Sequence, residues 1–129
     1  MHWGAGILGS IIGGLVFGAM MAMMGMLPKI AGMMGSDSAI IGFVIHMMIS
    51  FIFGIVFTIF TGFTRWNGMV AGLVFGVVLW FLFPFILMPM MMGNSDMAFK
   101  FSTDTMMSLV GHLIYGFITG LVYAKMAKR

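Results

Sequence analysis

Apolar and polar positions alternate on a long wavelength along this chain. Stretches near residues 4 to 27, 38 to 62, 68 to 92 and 105 to 125 are almost free of charge, and polar residues collect between them. Each stretch reaches the roughly 20 helical residues needed to cross a hydrocarbon core. The pattern predicts four transmembrane helices in a single membrane domain spanning residues 1–129. The breaks carry stop and cap chemistry: "LPK" ends the first span, Asp37 or Ser36 in "GSDS" caps the second, "TRWNG" divides the second from the third, and "FSTDT" caps the fourth. Pro84 and Pro89 predict a kink in the outer half of the third span.

Small residues recur at every fourth position within the spans. They run Gly6, Ser10, Gly14, Gly18, Ala22 in the first; Gly42, His46, Ser50, Gly54 in the second; Gly68, Gly72, Gly76 in the third; and Ser108, His112, Gly116, Gly120 in the fourth. Residues four apart share a helix face, so these stripes let backbones approach closely where lipid gives no hydrophobic drive for packing. The stripes are also copies of one another. Laying Gly14 on Gly72 matches "GLVFG" with "GLVFG", and laying His46 on His112 matches Val44, Phe51, Ile52, Gly54 and Val56 with their counterparts. A repeated pair of spans keeps its orientation in the membrane, which relates the halves by an axis along the bilayer normal. The predicted fold is therefore all-α: a four-transmembrane-helix bundle built from a tandem, parallel, pseudo-twofold repeat of a two-helix hairpin. Repeat one covers about 4–62 and repeat two about 67–126, with an insertion around "MAFKFSTD". The second and fourth spans are expected at the centre, because they carry the histidines.

Composition narrows the function. With 62% hydrophobic and 7% charged residues, the chain has too little polar surface for a water-soluble globule. It has no cysteine and no glutamate, and its three acids are Asp37, Asp96 and Asp104, so no paired carboxylates, thiolate sites or intramembrane acidic relay are expected. The reading is non-enzymatic. The net charge of +3 comes from scattered basic residues and suits lipid headgroups rather than nucleic acid. Arg65, Lys125, Lys128 and Arg129 fall on the side of both termini, whereas Lys29 and Lys100 face Asp37, Asp96 and Asp104 on the other. The positive-inside rule then makes both termini cytoplasmic in a prokaryotic inner membrane, with Trp3 and Trp66 at the interface. The first span has no basic leader before it and is read as a span rather than a cleaved signal.

The candidate site is the pair His46 and His112, at roughly 12 to 14 Å below the outer helix ends by the rise of an α-helix. Three uses compete. Each neutral imidazole can hydrogen-bond across a helix contact, with Ser50, Tyr115 or Thr119 near in sequence. The pair can ligate a b-type haem, with Gly54, Gly116 and Gly120 leaving space for the porphyrin edge and Lys29 or Lys100 reaching the propionates. Or the 19 methionines, with Met47 and Met48 beside His46, form a soft path for Cu(I) or another small solute, against the plainer role of methionine as a core filler.

The doubled pattern G/S-x3-H-x3-S/G-x3-G, in "GFVIHMMISFIFG" and "SLVGHLIYGFITG", resembles a group of small uncharacterised four-span prokaryotic membrane proteins, including the inner-membrane acid-resistance type. The resemblance covers mainly the second and fourth spans and implies no mechanism. The expected function is a structural or accessory subunit of a membrane assembly, with lipid as solvent and with partners that are either copies of this chain in a homo-oligomer or members of a larger complex. A haem-binding electron carrier and a permeation pathway are the alternatives.

Overall fold

A computed structural model describes residues 2–25, 27–83 and 103–128. All its regular structure is helical: α1 (Trp3–Met23), a short α2 (Leu27–Ala31) running into a 3-10 turn (Gly32–Met34), α3 (Ala39–Thr64), α4 (Gly68–Leu82) and α5 (Thr103–Ala127). Helices α1, α3 and α5 are long and apolar enough to cross a membrane; α4 is a shorter apolar helix over its described length. The expected continuation of the third span to residue 92, the kink at Pro84 and Pro89, the inserted loop and Lys100 lie outside the described residues.

The helix ends show why the chain turns where it does. Helix α1 stops at Gly25, which takes the left-handed conformation (φ 69°) and so ends the helix before "LPK" is reached. Ser38, not Ser36 or Asp37, caps α3 by accepting the Ile41 N–H at 3.4 Å. Arg65 closes α3 with φ 55°, its N–H bonded to the Thr61 carbonyl, and Asn67 Oδ1 caps α4 through the Met69 N–H at 2.9 Å. Helix α5 is already helical at Thr103, and the residues of "FSTDT" before it lie outside the described residues.

Polarity is distributed as a lipid environment requires. Ser10, Thr58, Thr61 and Thr119 are 0% exposed, whereas Ile40 and Phe63 are 77% and 79% exposed. Small and hydroxylated residues line the close helix contacts, buried rings such as Phe57 and Tyr123 fill the rest of the interior, and many other large apolar side chains face out.

The long helices pack as antiparallel neighbours in the order α3, α1, α5, α4. Helix α1 presents two different faces. Gly6, Gly14 and Gly18 lie against α3, where an added Cβ would strike Thr58, Ser50 and Phe43 respectively. Gly9 and Gly13 lie against α5, where a Cβ would come within 2.8 Å of the Thr119 carbonyl and 2.9 Å of the Tyr115 carbonyl. Helix α4 in turn sets Gly68, Gly72 and Gly76 against Gly120, Gly116 and His112 of α5.

The remaining pair, α3 and α4, has little backbone contact. Aromatic rings fill the space: Phe75 of α4 meets Phe53, Phe57 and Phe60 of α3 at centroid distances of 6.4, 5.2 and 6.0 Å. The expectation of a central α3–α5 pair is thus corrected. Helices α1 and α5 hold the middle, because α1 has small residues on two faces and α3 lies on its far side from α5.

Candidate functional site

The polar groups of the interior gather where α1 passes between α3 and α5. His46 is buried on α3, and its Nε2 lies 2.8 Å from the carbonyl oxygen of Gly14 on α1. A carbonyl only accepts, so Nε2 carries the proton and donates. The glycine at 14 is what brings that carbonyl within reach, since a Cβ there would collide with the Ser50 side chain.

One turn further along, Ser10 joins three helices. Its hydroxyl donates to the Ser50 carbonyl of α3 at 2.5 Å and also meets the Tyr115 hydroxyl of α5. Since the Ser10 proton is committed to Ser50, Tyr115 is the donor in the second bond. Ser50 Oγ returns a bond to the His46 carbonyl at 2.9 Å, and Thr119 Oγ1 donates to the Tyr115 carbonyl at 2.8 Å. Among the described residues, no buried side-chain nitrogen or oxygen lacks a partner.

His112 is placed differently from His46. Its Nδ1 lies 2.8 Å from the Ser108 carbonyl, one turn back on its own helix, so here Nδ1 bears the proton. The two imidazoles are therefore opposite tautomers when neutral. Between them stands Phe17 of α1, whose ring makes edge contacts with His46 at 5.6 Å and with His112 at 4.8 Å.

The residues expected around a cofactor are distributed as follows. His46 and His112 do share one neighbourhood, through Phe17. Gly54 does not leave room for a porphyrin edge, because a Cβ there would sit 2.8 Å from the Ile7 Cα of α1. Gly116 and Gly120 are likewise closed, against Gly72 and Gly68 of α4. A haem joining both Nε2 atoms would have to displace Phe17 and break the bond from His46 to Gly14. Met47 and Met48 line a shallow outward groove of about 500 Å³ with Phe43, Val44, Phe51 and Ile52. Met48 is 62% exposed while His46 is 8% exposed, so that methionine faces away from the imidazole. No group of three or more His, Cys, Asp or Glu side chains capable of holding a metal occurs among the described residues.

Sequence reasoning placed Ser10 in a small-residue stripe but not as the junction of three helices, and it missed Phe17 and the Gly9/Gly13 face. The spacing of four between Gly9 and Gly13 was the available signal for the second face.

The fold and site together define an all-helical bundle with membrane-compatible helices and a hydrogen-bonded interior. The chain belongs to a family described as "Family of unknown function (DUF6789)", whose model matches residues 3–129. Neither a curated protein nor a solved structure matches the chain significantly.

Proposed function

We propose that this protein is a non-enzymatic integral membrane protein, a structural or accessory subunit of a membrane assembly, with a paired intramembrane histidine site of which His46 helps set how the helices associate. The observation that carries this reading is the use of the interior polar groups. His46, Ser10 and Tyr115 all bond across helix contacts to other helices. Such bonds hold transmembrane helices in register.

The same reading takes the chain as four spans in a prokaryotic inner membrane, with both termini cytoplasmic, built as a tandem repeat of a hairpin. Matching contacts support the repeat: Gly14 lies against Ser50 in one half, and their aligned positions, Gly72 and Gly116, lie against each other in the second. The halves then diverge. Where α5 offers Thr119 to Gly9 and Gly13 of α1, the aligned positions are Phe53 on α3 with Asn67, the cap of α4, and Ala71 on α4. Larger side chains on both sides account for the wider α3–α4 separation.

The test is purification from native membrane in mild detergent, with partner identification and an absorption spectrum of haem-replete material. The reading expects a defined homo-oligomer or a co-purifying membrane protein, and a colourless sample. A Soret band lost in both His46→Ala and His112→Ala, or a monomer that carries copper or protons across liposome membranes, would overturn it.

A further inference from the structure

Antiparallel packing brings the start of α1, the connection between α3 and α4, and the end of α5 to one end of the bundle. Contacts there include His2 with Tyr123, Phe60 with Trp66, and Gly68 with Ala124. Arg65, Lys125 and Lys128 are all exposed at this end, and among the described residues none of their side chains has an ion pair or hydrogen bond. Among the described residues no carboxylate side chain belongs to this end: Asp37 and Asp104 stand where α3 and α5 begin, at the opposite end. Trp3 and Trp66 are exposed at the same end, 45% and 44% respectively. Indole rings favour the depth of the glycerol backbone, just beneath the phosphates.

A second, independent feature concerns the backbone of Arg65. It takes φ 55° as the residue that closes α3, a left-handed position where glycine is sterically favoured. Lys128 shows the same feature with φ 58°. A side chain held in this conformation calls for a use of that side chain. Arg65 stands between the end of α3 and the start of α4, where the two helix dipoles oppose each other, so the positive charge there is that of the guanidinium itself. A guanidinium in that setting matches a phosphodiester, which it can bond through two N–H groups at once.

We propose that Arg65 and Trp66, with Lys125 and Lys128, form a binding collar for the headgroups of anionic phospholipids. It rests on the reading that the chain spans a bilayer, and it adds a lipid class to that reading.

The full-length chain should be reconstituted into phosphatidylcholine nanodiscs, then examined by native mass spectrometry against phosphatidylglycerol and phosphatidylcholine. Failure to enter the discs would sink the membrane reading itself; entry without lipid preference sinks only the collar. The expected result is retention of phosphatidylglycerol over phosphatidylcholine. That preference should fall about five-fold in R65G, from roughly 1 kcal/mol per basic residue at an anionic surface. It should vanish in R65G/K125Q/K128Q and weaken with salt. R65G should melt no lower than the parent in phosphatidylcholine, because glycine suits the turn, so lost binding cannot be laid to misfolding. An unchanged preference in the triple variant overturns the proposal, as does displacement of phosphatidylglycerol by inorganic phosphate, which would indicate a soluble-anion site.

Discussion

Ser10 holds two helices to a third with a single oxygen, donating to Ser50 and accepting from Tyr115. Ser10→Ala removes both bonds and takes from the buried Tyr115 hydroxyl its Ser10 acceptor, while the Ser50 carbonyl keeps its helical bond; the expected cost is roughly 1–3 kcal/mol. Tyr115→Phe leaves the Ser10–Ser50 bond in place and is expected to cost less, about 0.6 kcal/mol. Unfolding titrations in mixed detergent would rank the two, and the reverse order would show that Ser10 is not the junction. The histidines should differ as well. His46→Ala loses a bond between helices and should destabilise by about 0.6–1.7 kcal/mol, whereas His112→Ala loses a bond within α5 and should fall below it. At this scale the sequence was only partly legible. Depth and burial of His46 could be read from its stripe, but its partner is the Gly14 carbonyl, and backbone acceptors leave no mark in a sequence. Serine in a stripe reads as merely small, so its bonding role stayed hidden until both partner helices were placed.

Helix α1 is the element on which the arrangement depends, because it is narrow on two sides. Gly13→Val would put a branched carbon within reach of the Tyr115 carbonyl and Thr119 Oγ1, each 2.9 Å from the added Cβ. The expected cost is about 1–3 kcal/mol or more, as for other overpacked contacts. Gly4→Val serves as the control, since nothing lies within 4 Å of its Cβ position, and thermal melts should separate the two clearly. The four helices, three of them long and apolar enough to cross a membrane, and the Gly6-to-Gly18 stripe were legible because spacing of four and unbroken apolar runs are properties of one helix. Which helix each stripe meets is a property of pairs. The histidines drew α3 and α5 to the centre in the sequence reading, while Gly9 and Gly13 in fact decide that α1 and α5 occupy it.

At the scale of the whole bundle, the two halves share a pattern but not a symmetric closure. The chain has no cysteine, so paired cysteines can map this directly. Gly9→Cys with Val122→Cys should cross-link readily, because a Cβ at Gly9 lies 3.4 Å from that of Val122. The aligned pair in the other half, Asn67→Cys with Val56→Cys, should not, since α3 and α4 are held apart by phenylalanines. Equal cross-linking of both pairs would mean a true twofold bundle. The asymmetry also gives the protein a timetable. Helix α1 is made before α3 and can settle on it as soon as α3 emerges from the ribosome, but among the described helices its Gly9–Gly13 side has no occupant until α5 has been made. Until then, that groove stays open to other helices with a small-residue face. A chain halted after α4 should therefore associate with other small-residue helices, measured by cross-linking in the membrane, and Gly9→Val, by filling the groove, should reduce that association even as it weakens the finished bundle.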